Sequence, residues 1–260
     1  MIKMEKINEL ISSCLWTGYI KDITPVSMIL IAKPEMGKTE VLKQYKFNKG
    51  CIYINDITAW GIVKKVFPRI VRGENVHHII IPDFLNPLSK QKATSGAFIQ
   101  FMSSLIEEGI LDVKTYGIDA TEILSALNKE IKCGLITAVT KEKFYQKRKL
   151  WKDIGFMSRL VPVTYNYSIT TLIQILSSIY KEEYMIEKLL DLNFPDNKID
   201  IKGNEEYNRK LNQIVIKIAT KVGLEGLRLQ KSYQGLMKGH ALMNKRTEVN
   251  IYDYNFMEDI

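Results

Sequence analysis

One stretch narrows the possible folds more than any other. SMILIA, residues 27–32, is an unbroken apolar run. Its length suits a strand, and its lack of polar alternation suits burial on both faces. AKPEMGKT follows from Ala32 to Thr39, and TEVLKQY (39–45) then takes helical spacing. A buried strand, a loop closing in Gly-Lys-Thr and a helix make the pattern GxxxxGK[ST] with its structural context on both sides. Such a strand belongs in a parallel sheet, and a parallel sheet needs helices over both faces.

The remaining strands follow the same style. CIYIND (51–56), HHIIIPD (77–83), GLITAVT (134–140) and RLVPVTY (159–165) are short apolar runs set between helical stretches. An amphipathic helix is predicted over 4–20, with Ile7, Ile11 and Leu15 at four-residue spacing, and another over 93–108. GILDVKTYGIDA (109–120) alternates in part and carries two glycines, which predicts a hairpin. After residue 168 the pattern turns helical: TTLIQILSSIY, EEYMIEKLLDL, NRKLNQIVIKIATKV and RLQKSYQGLMKGHALMNK, with a polar loop over 193–206. The expected fold class is α/β: an αβα P-loop sandwich with a parallel sheet (1–168), followed by a small all-α lid domain (169–260).

Composition excludes several classes. With 260 residues, 46% of them hydrophobic, the chain can bury a large core, which rules out disordered, collagen-like and mini-protein readings. Lys plus Arg exceed Asp plus Glu, 37 against 29, and the net charge of +8 permits an anionic partner. Three scattered cysteines without a CxxC, and only three histidines, argue against a zinc site and a disulfide framework. The opening MIKMEKINELISS has charges among its apolar residues and no signal-peptide core. No run is long enough to span a membrane, so the expected location is cytoplasmic.

The loop residues Ala32, Lys33, Pro34, Glu35, Met36, Gly37, Lys38 and Thr39 are the expected nucleotide-binding set. Phosphate needs converging backbone N–H groups at a helix start, and Gly37 allows close approach. Lys38 would reach the β and γ phosphates of ATP, and the Thr39 hydroxyl would ligate Mg²⁺. Ala32 stands where the pattern has its first glycine. Asp83, ending an apolar run 44 residues after Thr39, is the expected second acidic element on a neighbouring strand. Many motors follow that aspartate with a glutamate that polarises the attacking water. Here the next residue is Phe84, so hydrolysis is expected to be slow or to draw its base from elsewhere; Glu107 and Glu108 lie nearby in sequence.

In this order of elements the chain resembles an AAA+ ATPase from about residue 25 to 255. Thr140 stands where that family places a polar sensor residue. GFMSRLVPV (155–163) resembles the segment whose arginine serves a neighbouring subunit, which makes Arg159 the finger. LRLQKSYQGLMKGHALMNKRTEV (227–249) looks like the third lid helix, in which Arg228 would reach the γ-phosphate of its own chain. With the hairpin as an insert, the chain is most similar to the minichromosome-maintenance helicase motors and the MoxR chaperones. It departs from them at Ala32, at Phe84, at Thr140 in place of the commoner asparagine, and in showing no large N-terminal DNA-binding domain.

The resemblance implies ATP and Mg²⁺ as cofactors and ATPase activity involving Lys38, Asp83, Thr140, Arg159 and Arg228. It also implies a homo-oligomeric ring or filament, hexamer-like, because an arginine supplied to a neighbour makes head-to-tail contacts. KEKFYQKRKLWK (141–152) carries six basic residues and one acidic, with Phe144, Tyr145 and Trp151 between them. It reads as a solvated loop, a subunit contact or a phosphate-binding face; Lys147, Arg148 and Lys149 are the candidate DNA contacts. Lys114, in the hairpin, would face a central pore. The leading expectation is action on DNA in replication, recombination or a phage or mobile element. The alternatives are a MoxR-like chaperone acting on a protein partner, and a nucleotide-dependent scaffold with weak hydrolysis.

Overall fold

The computed structural model describes residues 4–110, 114–115, 118–119, 130–181 and 189–259. β1 (Met28–Ala32) lies inside a five-stranded sheet with β2 (Cys51–Tyr53), β3 (His78–Ile81), β6 (Gly134–Thr140) and β7 (Val161–Thr164). The strand order is β2-β3-β6-β1-β7, and every ladder is parallel. All five residues of β1 are buried, as an apolar run between two parallel neighbours requires.

Alternate residues point to two separate cores. Met28 and Leu30 join Ile80, Ile136 and Val163 beneath α1 (Glu5–Trp16) and α2 (Lys38–Lys43). Ile29 and Ile31 join Ile79, Ile81 and Leu135 on the other face. That face is covered by α3 (Ala59–Val71), by α5 (Lys92–Ser103), which follows the short turn α4 (Leu85–Leu88), and by α6 (Lys141–Asp153). The result is the three-layer α/β/α arrangement read from the sequence.

α3 has no counterpart in the sequence reading, and the basic run 141–152 is helical rather than a solvated loop. Phe144 and Trp151, seven residues apart, fall on one face of α6 and are both buried, which anchors an otherwise charged segment. The predicted hairpin appears as β4 (Lys114–Thr115) antiparallel to β5 (Ile118–Asp119).

The C-terminal part contains α7 (Ile169–Tyr180), α8 (Glu205–Val222), α9 (Leu227–Met243) and α10 (Ile251–Glu258). The helix expected over 182–192 falls mostly outside the described residues; 189–192 carry no regular structure. α9 lies along α1, so Leu10, Ile11 and Leu15 share a core with Leu236, Met237 and Ala241. The helices approach so closely that a Cβ on Gly239 would stand 2.2 Å from the Ser13 carbonyl oxygen. α10 is tied back by buried Asp253, which takes both Arg246 Nη atoms at 2.6 Å, His240 Nδ1 at 2.6 Å and the Asn250 N–H at 2.8 Å.

Candidate nucleotide site and the opposite arginine cluster

The phosphate-type loop leaves the carboxyl end of β1, where open α/β sheets place their ligands. Ala32 is the last residue of β1 and pairs in register with Thr140, the last residue of β6. β3 ends at Ile81 and Asp83 follows two residues on, so Lys38, Asp83 and Thr140 share one edge of the sheet. Two residues of the loop take the left-handed conformation, Glu35 (φ 61°) and Gly37 (φ 69°). A glutamate held there is uncommon and marks a backbone fixed by its surroundings.

Lys38 folds its ammonium over the loop, donating to the carbonyls of Lys33 (2.6 Å) and Ala32 (3.1 Å). Burial lowers its pKa, while the charges of Asp83 and Glu142 act in the opposite direction. Glu142, in the first turn of α6, thus joins Asp83 as a carboxylate acting on Lys38; sequence reasoning missed it. It also missed Tyr165 and Tyr167, just after β7. Both hydroxyls donate to the Met36 carbonyl, at 2.9 and 3.1 Å, and pin the loop from the far side. The only sequence signal was the motif YNY following the last strand.

Asp83 is half-buried, and its Oδ1 accepts the N–H of Leu85 at 2.9 Å, which is turn chemistry beside the loop. Its neighbour Phe84 points the other way. The ring is fully buried, stacked on Phe156 at 5.3 Å, edge-on to Trp151 at 5.7 Å and tilted against Phe98. A carboxylate at position 84 would sit among these rings, so the absent glutamate has a packing reason.

The donors present fit nucleotide and magnesium. Thr39 and Asp83 are hard oxygen donors, as few as Mg²⁺ takes from protein when phosphates complete its shell. Among the described residues no group of three or more His, Cys, Asp or Glu forms a self-sufficient metal site.

Arg159 and Arg228 are elsewhere. Arg159 ends the turn before β7, and Arg228 lies in the first turn of α9. They line a cleft of about 430 Å³ with Glu107, Lys231, Lys238 and Ser27. Ser27 precedes β1, so this cleft is at the amino edge of the sheet. The length of β1, about 16 Å at 3.3 Å per residue, separates it from the loop. Arg228, expected to serve its own chain's γ-phosphate, stands beside Arg159 and away from Lys38 of the same chain. Glu107 and Glu108 are held there too. Arg228 Nε meets Glu107 at 2.7 Å and Arg159 Nη2 meets Glu108 at 2.7 Å, so both carboxylates are paired with arginine on the side of the sheet away from Lys38.

No family model matches the sequence, and no curated protein matches it. Among solved structures, the full-length MCM homologue from Methanopyrus kandleri is similar to this chain, with a TM-score of 0.51 at 13% sequence identity. The likeness is one of fold: a parallel sheet layered between helices and followed by a helical region. The likeness covers 100% of this chain and 55% of the homologue, so the chain spans about half the length of that protein.

Within this fold the candidate nucleic-acid contacts are dispersed. Lys147 and Lys149 are exposed on α6. Arg148 is engaged instead: its Nη2 donates to the Lys221 carbonyl at 2.7 Å, near the end of α8. Lys114 occupies the first position of β4, opposite Asp119. No helix among the described residues is long and apolar enough to cross a membrane.

Proposed function

We propose that this chain is an ATPase of the AAA+ type that binds ATP–Mg²⁺ on the Lys38 edge of one copy and completes the site with arginines from the next. One observation carries the proposal: the loop, Asp83 and Thr140 lie at the carboxyl edge of the sheet, and Arg159 and Arg228 lie together at the amino edge. A site divided in this way is completed by a second copy, and repetition gives a homo-oligomeric ring or filament, hexamer-like. In this arrangement both arginines act in trans, and residues 169–260 serve as the lid that carries Arg228.

Lys38 exchanges its two carbonyl partners for phosphate oxygens. Tyr165 and Tyr167 keep the loop backbone in place while this happens. Thr39 and Asp83 would hold Mg²⁺, which would neutralise charge on the phosphoryl oxygens. Thr140, beside Ala32, orients the attacking water or the γ-phosphate. A guanidinium from the neighbour stabilises charge developing on the transferred phosphoryl group. With Phe84 in the core, Glu142, which acts on Lys38 together with Asp83, is the proposed acceptor of the water's proton, and slow turnover is expected.

The substrate proposed is DNA, in replication, recombination or a mobile element. The net charge of +8, exposed Lys147 and Lys149 on α6, and Lys114 in the hairpin support this reading. The test is steady-state ATP hydrolysis with and without single- and double-stranded DNA, beside Lys38→Ala, Arg159→Ala and Arg228→Ala. DNA-stimulated turnover lost in all three variants supports the proposal. Turnover that is indifferent to DNA rejects the DNA role, and turnover that survives Lys38→Ala rejects the site. The buried Phe84 favours one second reading, a nucleotide-dependent scaffold; ATP-driven assembly without hydrolysis would establish it.

A further inference from the structure

Glu107 and Glu108 close a π-helical turn, Ser104–Glu108, at the end of α5. Gly109 follows with φ 87°, and Ile110 then pairs antiparallel with Ile131 through bonds of 3.0 and 3.1 Å. That bridge is the root of the insertion that carries β4 and β5. The two carboxylates therefore sit between a core helix and this root, and both hold arginines brought from distant parts of the chain. Single-turn π segments inside helices often mark functional positions.

Glu107 reaches both arginines. Its Oε1 accepts from Arg228 Nε at 2.7 Å, and its Oε2 lies 3.0 Å from Arg159 Nε, an ion pair without hydrogen-bond alignment. Arg159 is committed inward: its side chain is 9% exposed, Nη2 is on Glu108 and Nη1 donates to the Gly155 carbonyl at 2.8 Å. Arg228 is 43% exposed and uses Nη1 on Ser158 Oγ at 3.0 Å. Two guanidinium groups this close repel each other, and a shared carboxylate holds them together in a defined geometry.

We propose that Glu107 is the positioning residue of the arginine pair. It presents Arg228 outward to the phosphates bound by a neighbouring copy, with Arg159 as inner support, and it sets their place from the root of the 109–131 insertion. The inference rests on the functional reading above. It assigns the outward contact to Arg228, whereas the sequence pattern points to Arg159.

The experiment compares the full-length chain with Glu107→Gln, an amide of the same shape. ATP turnover is expected to fall about tenfold or more through kcat, with KM for ATP within about twofold and the melting midpoint within about 3 °C. The decisive arm mixes Glu107→Gln with Lys38→Ala. Lys38→Ala subunits keep their arginine edge and Glu107→Gln subunits keep their loop, so mixed assemblies are expected to exceed the turnover of either variant alone. Full activity of Glu107→Gln, or no recovery on mixing, overturns the inference. If Arg159→Ala and Arg228→Ala both hydrolyse normally, or the unsubstituted chain does not hydrolyse ATP, the functional reading falls and takes this inference with it. If the arginine variants fail and Glu107→Gln does not, only the inference falls.

Discussion

At the scale of single residues, adjacent positions have divided the work. Asp83 faces the loop edge, while Phe84, which opens the helical turn of α4, faces the core. Phe84→Glu is therefore expected to destabilise the protein by at least about 3 kcal/mol, from the lost ring and a buried carboxylate, and to leave hydrolysis no faster. Chemical denaturation and an ATPase assay check both parts. The paired tyrosines make a gentler prediction. Replacing Tyr165 and Tyr167 by Phe removes two hydrogen bonds to the Met36 carbonyl, each worth about 1 kcal/mol. ATP affinity, measured by titration calorimetry, is expected to fall while the fold persists. The loop itself was legible in the sequence because its chemistry is local. The tyrosines were not, because they lie 129 and 131 residues from their partner.

At the scale of elements, the contact between α1 and α9 is the most demanding. Alanine is favoured over glycine in a helix by about 1 kcal/mol, so Gly→Ala inside a helix ordinarily stabilises. At Gly239 the sign reverses. The added methyl meets the Ser13 carbonyl at 2.2 Å, and backbone cannot yield as a side chain does. Gly239→Ala is expected to lower stability by about 1–3 kcal/mol, read from a denaturant midpoint. Helical periodicity identified both helices, but nothing in either segment says which other helix it meets. The basic segment of α6 shows the complementary failure. Charge dominated its composition, while Phe144 and Trp151 alone decided that it would be an anchored helix.

At the scale of the whole molecule, a buried histidine pair makes the fold sensitive to acid. Burial favours the neutral form of both rings. His78 Nε2 donates to the Val26 carbonyl at 2.9 Å, so a neutral His78 accepts at Nδ1, 2.6 Å from His77 Nδ1, which then donates. Burial pushes His77 well below its ordinary value and takes His78 from 6.5 to about 4; His77 also faces the charge of Lys198, and His78 the thiol of Cys14 at 4.0 Å. The unfolded chain then binds more protons than the native one between these values, so stability falls as the pH drops from about 6.5 towards 4. His78 alone accounts for about 3 kcal/mol over that window. Denaturant midpoints measured from pH 7 to pH 4 are expected to decline, and His78→Gln to decline less steeply. A flat profile would contradict the assignment of two neutral rings.

The parallel sheet, the phosphate-type loop and most of the helices were legible in the chain alone, because they depend on apolar runs, periodicity and short-range backbone chemistry. Arg159 and Arg228 could also be singled out there. Which edge each group occupies is settled by folding. Arg228 follows Arg159 by 69 positions and Glu107 precedes it by 121, yet the three converge in one cluster. That convergence is set by how α9 packs on α1 and where α5 ends, which are sums of many weak long-range contacts with no local signature. The separation of loop from arginines across the sheet, on which the proposed function rests, is a property of the fold alone.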